Sequence, residues 1–336
     1  MRQSALGSRR GFLRTAGISG LTLTSSAVVS LATASAMVQN SGSGKLVFIY
    51  DDGTTADYAE TYPVHQEAGV PGCFAVVSGL IGTEGRLTKN QLLDINAAGH
   101  EIISHTIKHR ALGSLEVTKD VEKGDVKVYG RSNRFGELPG DDVRIFDSEK
   151  HETVTVTGNG ADETGEYITL ESPVTKAFSA EHARIRYSDE ILKSAIGGSK
   201  AQLEGYGVHV SNFVLPYGVN SDRGQALIPK HYSAVANAVR GDGLNPIRGL
   251  DPYNLHRRYF RPDRLSKPEL ETHLDTVANS DVLAIFVGHS AYESFSAERV
   301  RTAIRLAKER NIEIVTLRRA LVDLGYAKPM TTTTQR

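Results

Sequence analysis

Apolar and polar positions along the chain fall into two textures. From residue 45, short unbroken apolar runs, KLVFIY (45–50), CFAVV (73–77) and EIIS (101–104), alternate with segments of helical period, ADYAETYPVHQEAG (56–69) and LTKNQLLDINAAG (87–99). An unbroken apolar run suits a strand buried on both faces, and strands that alternate with helices make a parallel sheet or barrel. The rhythm returns in SDEILKSAIGGSKAQLEGYG (188–207, helix), VSNFVLPYG (210–218, strand and turn), DVLAIFVGH (281–289, strand), SAERVRTAIRLAKERN (296–311, helix) and IEIVTL (312–317, strand). Between these halves the pattern is alternating and β-branched: DVKVYG (125–130), DDVRIFD (141–147), ETVTVTG (152–158) and GEYITLE (165–171), separated by Gly, Asn and Asp turns. That is the signature of antiparallel strands. The expected architecture is an α/β domain, a parallel sheet or barrel, over residues 45–114 and 188–326, interrupted by a small all-β module over 115–187, with residues 327–336 as a frayed tail.

The first 36 residues stand apart. They carry Arg9-Arg10 followed by Phe12 and Leu13, a small-residue apolar stretch, and Ala34-Ser35-Ala36 as a cleavage site. This pattern resembles a twin-arginine export signal, with 37–44 as a Ser/Gly linker, and implies a periplasmic, extracellular or cell-surface location. Without that segment and its four Arg, 35 basic and 39 acidic residues remain, a net charge of −4 that argues against a nucleic-acid surface. No later run is long and apolar enough to span a bilayer, so no integral membrane association is expected once the signal is removed. The single cysteine, Cys73, has no partner within the chain and is expected in the core.

Polar groups with chemical potential gather where strands run out. Asp51-Asp52-Gly53 closes the first strand, SHTIKH places His105 and His109 four residues apart after EII, LPYG (215–218) ends another strand, and His289 ends LAIFVGH. In parallel α/β barrels the C-terminal strand ends open on one face, where active sites are built. Two imidazoles and a carboxylate make a facial set for a divalent metal with coordination positions left open. A second carboxylate and a third His are then available as base and acid.

Taken in order, YDDG, SHTIKH, LPYG and IFVGH resemble the motifs of the NodB-type polysaccharide deacetylases, carbohydrate esterase family four. The resemblance covers about residues 45–110 and 187–325 and implies a distorted (β/α) barrel. It also implies roles: Asp51 as general base, Asp52, His105 and His109 as ligands of one divalent metal, Thr106 as the hydroxyl residue that steadies the metal loop, the Tyr217 N–H as oxyanion donor, and His289 as general acid. Zinc is the first expectation, with cobalt, nickel or manganese as alternatives. The chain departs from the family in two places. The Arg that precedes the third motif's Pro by two residues is Val214 here, so a substitute is expected from NLHRRYFRPD (254–263), Arg258 ahead of Arg261. The family's fourth motif is not recognisable, and the chain has no Trp; Asp251 is the candidate partner for His289. Tyr217, Tyr253, Tyr259 and Tyr292 are candidates to line a sugar groove, and the other His residues, including His65, His100 and His256, are read as structural or surface.

The expected activity is removal of N-acetyl groups from an N-acetylated polysaccharide or oligosaccharide, with another planar acyl group (an O-acetyl ester or cyclic imide) or non-catalytic glycan binding as alternatives. The β module, with 15 acidic and 10 basic residues, follows His109 directly. It is expected on the rim of the groove, dispensable for chemistry on small substrates.

Overall fold

The computed structural model describes residues 44–131, 139–239 and 241–328. The segment expected to be an export signal, nearly all of the expected linker and the end of the tail lie outside the described residues. Strands β1 (Lys45–Asp52), β2 (Cys73–Val76) and β3 (Glu101–Ser104) lead into the β module, which holds β4 (Leu115–Glu116), β5 (Lys127–Tyr129), β6 (Asp142–Phe146), β7 (His151–Asp162), β8 (Gly165–Leu170) and β9 (Arg184–Tyr187). The chain then returns through β10 (Asn212–Val214), β11 (Ala234–Val239), β12 (Leu244–Pro246), β13 (Leu255–Tyr259), β14 (Val282–Gly288) and β15 (Glu313–Ile314).

Seven of these strands are parallel neighbours in the order β1, β2, β3, β10, β11, β13, β14, and β14 pairs back onto β1 to close a barrel. The closure is uneven. Only the upper part of β14 pairs with β13, at Phe286 and Val287, whereas its first residues take the antiparallel β12. The start of β1 likewise pairs with β15. The barrel is therefore distorted at its N-terminal end and regular where the strands finish.

Side-chain parity explains both the core and the site. Val47 and Ile49 of β1, Ile103 of β3, Leu255 of β13 and Leu283 and Ile285 of β14 share an interior cluster with the small residues Cys73, Ala75, Ala234 and Ala236. Small side chains are what a seven-stranded barrel can enclose. Leu46, Phe48, Tyr50, Phe74, Ile102 and Phe286 have the opposite parity and face outward, onto helices α1 (Tyr62–Ala68), α2 (Lys89–Ala97), α3 (Asp189–Lys193), α4 (Ser199–Gly205), α5 (Asp222–Leu227), α6 (Lys267–Ala278) and α7 (Ala297–Glu309). Leu317 and Leu321 of α8 (Leu317–Asp323) instead join the interior cluster, from the end where the strands begin.

Strands β4 to β9 form a separate antiparallel six-stranded sheet in the order β4, β9, β6, β7, β8, β5. Its alternating residues Val143, Ile145, Val156, Ile168 and Ile185 are buried in the same continuous apolar cluster as the barrel's outer face. Cys73 is fully buried, as expected of a core thiol. LHRRY, absent from the strands expected from sequence, is barrel strand β13.

Candidate active site

Interior parity delivers the chemistry. Continuing the interior rows upward by two residues gives Asp51 after Ile49, His105 after Ile103, Arg257 after Leu255, and Val287 then His289 after Ile285. All five line one cavity of about 240 Å³ at the C-terminal ends of the strands, together with His109, Tyr217, Gly218, Tyr259, Arg261 and Tyr292.

Asp52 has outward parity, and the backbone redirects it. Its φ is +88°, and three more non-glycine residues of the site share the left-handed region: Thr106 (+64°), His109 (+55°) and Tyr217 (+56°). Among the described residues only Asn311 joins them. Such strain costs on the order of 1 kcal/mol or more per residue and persists where the surroundings fix it. One fixing contact is the Arg86 guanidinium, which donates to the Asp52 carbonyl at 2.8 Å. Gly53 follows at φ +65°, and a Cβ there would stand 2.9 Å from Val76 Cγ1 and 3.2 Å from its Cα. The third residue of Asp-Asp-Gly is thus dictated by both space and dihedral.

The carboxylate of Asp52 lies 3.2 Å from His109 Nε2 and 3.7 Å from His105 Nε2, and the two Nε2 atoms are 3.1 Å apart. The three donor atoms fit a metal ion: they lie within 4.8 Å of one another, and a cation about 2.1 Å from each would need donor separations of roughly 3 to 3.5 Å. His105 Nδ1 donates to the Val214 carbonyl at 2.9 Å, which leaves the Nε2 lone pair aimed at the cluster. Burial holds His105 down at about 4, so it is neutral at physiological pH, as a ligand must be. For Asp52, burial pushes upward and is outweighed by the His109 hydrogen bond and the nearby imidazoles, so its carboxyl stays well below the usual range.

The position of the missing family Arg is filled, though by a neighbour of the expected residue. Arg257 Nη1 donates to both Asp51 oxygens at 2.9 and 2.8 Å, and its Nε donates to the Asn237 carbonyl at 3.1 Å. Both partners are almost wholly buried. Arg258 has outward parity and faces α6, where its charge acts on Glu269 and His273. Arg261 stays on the cavity wall, over the Tyr259 ring and paired with Asp263. Val214 contributes through its carbonyl.

His289 Nε2 lies 3.9 Å from Asp51 Oδ2, and its ring stacks on Tyr292 with centroids 4.5 Å apart. Asp251 is not its partner: it is exposed and accepts from the Tyr253 N–H in the turn that enters β13, at the opposite end of the strand. Tyr253 leaves the expected groove set as well, since its hydroxyl donates to the Tyr232 carbonyl and it lines a different pocket with Asn212 and Tyr326. Tyr217, Tyr259 and Tyr292 do surround the cavity, and Tyr217 packs edge-on to His109. His65 and His100 are buried structural residues, the first bonded to the Tyr50 hydroxyl and the second to the Gly72 N–H and Gln66.

One acid beside the site gave no signal in the sequence. Asp57 is fully buried and accepts from Ser290 Oγ, the residue after His289, and from the Thr54 N–H; Ser290 also meets Thr61. Burial drives its carboxyl up to about 7, with repulsion from Asp52 and Asp51 adding to it and the two hydrogen bonds opposing it. A carboxyl raised in the fold binds its proton more tightly there than in the unfolded chain. Its favourable contribution is complete below about pH 4 and is lost as pH rises through 7. Asp57→Asn cannot ionise, so its stability relative to wild type is expected to improve between pH 4 and pH 8 by roughly 3 to 4 kcal/mol. Paired urea titrations at the two pH values check this, and a difference independent of pH contradicts it.

With this geometry established, comparison with known proteins identifies the class. Residues 39–128 match the family model described as polysaccharide deacetylase. Over 115 residues the chain is 29% identical to YxkH of Bacillus subtilis (strain 168), whose name assigns it to the polysaccharide deacetylases; the match covers 34% of this chain and 36% of that protein, so it spans about a third of the relative's length. Similar solved structures include a family 4 acetyl xylan esterase from Clostridium thermocellum in complex with a cobalt ion (13% identity, TM-score 0.45, 83% of this chain and 90% of that one). Another is the peptidoglycan deacetylase PdaC from Bacillus subtilis (14% identity, TM-score 0.44, 84% and 91%). Over residues 39–128 the sequence is thus similar to the polysaccharide deacetylases, the resemblance its motifs suggested.

Proposed function

We propose that this protein is an exported, metal-dependent deacetylase that hydrolyses N-acetyl groups of an N-acetylated polysaccharide. The observation that carries the reading is the convergence of the Asp52, His105 and His109 donors beside a second carboxylate, Asp51, which lines one cavity with the two imidazoles and is held by its own buried arginine. A divalent ion bound there, zinc or a similar metal, supplies Lewis acidity toward an acyl oxygen and a more acidic water.

The chain's own residues supply the rest. Asp51, its two oxygens fixed by Arg257, takes the proton of the attacking water. His289, across from Asp51, gives a proton to the departing amine, which is too basic to leave without one. The Tyr217 N–H, on the cavity wall beside His109, is assigned to the developing oxyanion. Tyr292 and Tyr259 flank His289, offering aromatic faces to a pyranose ring and limiting water around the acid. Arg257 also bears on turnover: with the base's arginine supplied from β13, Val214 in the third motif is no sign of lost activity. The twin-arginine pattern supports export before action on an extracytoplasmic polymer.

Acetate release from acetylated chito-oligosaccharides tests the reading. Turnover is expected to fall to background after chelation and to return when Zn²⁺ or Co²⁺ is restored. Chelator-insensitive turnover, or none in metal-replete protein, contradicts it.

A further inference from the structure

The two imidazoles of the Asp52 cluster are held by different means. His105 is buried and tied to the Val214 carbonyl, whereas the His109 side chain is about a quarter exposed on a backbone at φ +55°. The residue that follows His109 is anchored in the β module. Arg110 is buried and forks onto Asp141, Nε to Oδ2 at 2.5 Å and Nη2 to Oδ1 at 2.6 Å, with its guanidinium over the Tyr187 ring. Asp141 belongs to the β module. It immediately precedes β6, its carbonyl accepts from the Val156 N–H, and the adjoining Gly140 N–H donates to the Val156 carbonyl. Tyr187 ends β9, in register with Val143 of β6.

We propose that the β module is part of the metal-site scaffold and that Asp141 is a positioning residue: it clamps Arg110 and so holds the strained backbone that aims His109. The inference rests on reading Asp52, His105 and His109 as a metal site. A bidentate guanidinium–carboxylate pair fixes direction as well as distance. Buried pairs of this kind contribute little net stability compared with apolar packing, so geometry is the better account of this one. A single peptide unit separates the clamp from the ligand. On this proposal the module bears on metal binding, where the sequence led us to expect a rim dispensable for small substrates.

The test uses the full chain, with Co²⁺ affinity measured against a competing chelator and the visible Co²⁺ spectrum recorded alongside. Asp141→Asn is expected to weaken Co²⁺ binding by about 10- to 100-fold, the usual cost of removing an outer-sphere partner, and to alter the spectrum. Arg110→Lys, which keeps the charge and loses the fork, is expected to fall between it and wild type, and it carries the test if Asp141→Asn does not fold. Ile145→Val, a core change within β6, is expected to lower the melting temperature while leaving affinity and spectrum unchanged. Wild-type affinity and spectrum in folded Asp141→Asn or Arg110→Lys overturn the clamp. Co²⁺ that binds His109→Ala as tightly as wild type overturns the metal-site reading itself, and the clamp falls with it.

Discussion

Replacing Arg257 by Met is expected to lower kcat for acetate release by at least about 10²-fold, the scale of general-base catalysis, whereas Arg258→Met leaves it within about twofold. The two arginines are adjacent in sequence and opposite in parity. Arg257 follows Leu255 into the barrel interior and donates to both oxygens of Asp51, while Arg258 faces the helix layer. Without Arg257, Asp51 is a buried carboxylate that has lost its counter-charge. Orientation is lost too, since the methionine cannot hold two carboxylate oxygens in place. Removing one member of a buried pair also costs stability, on the order of 3–5 kcal/mol. Folded fraction must therefore be measured beside turnover, so that kcat is expressed per folded molecule. Equal activity in the two variants, or a larger loss in Arg258→Met, contradicts the assignment.

The contrast between these arginines marks how far the sequence could be read. Strands with continuous apolar runs, such as KLVFIY and LAIFVG, were legible because burial on both faces leaves only one composition. The residues that end or follow them, Asp51, Asp52, His105, His109 and His289, were legible for the same reason: polar groups that close such a run need a partner or a task. LHRRY hides its strand, since three of its five residues are basic. Yet the parity rule that placed Asp51 after Ile49 also places Arg257 after Leu255, once the segment is known to be β13. Val214 misled in another way, because a side-chain comparison says nothing of a backbone carbonyl that accepts from His105. Asp57 and Ser290 are 233 residues apart and Arg110 and Asp141 are 31 apart; no local periodicity encodes such pairs. The β module's strands were visible as alternation, but the pairing of its Asp141 with Arg110, next to His109, was not.

The other large effect is expected at the histidines. Protein lacking both imidazoles, His105→Ala with His109→Ala, should retain no stoichiometric divalent metal after dialysis and should release acetate at background rate. Each ligand removed should cost more than the ~10- to 100-fold that an outer-sphere partner costs, because a donor to the ion itself is lost. The single variants should differ in their side effects. His109 is about a quarter exposed and its truncation leaves little unfilled space, so His109→Ala should melt close to wild type. His105 is buried and donates to the Val214 carbonyl, so His105→Ala leaves that acceptor unpaired and opens a small cavity beside the strand ends. A penalty of about 1–3 kcal/mol is expected from the unpaired acceptor alone. If the fold tolerates that loss, as the extensive barrel core suggests, elemental analysis of the purified double variant decides the matter: one equivalent of bound metal there would remove Asp52, His105 and His109 as its ligands.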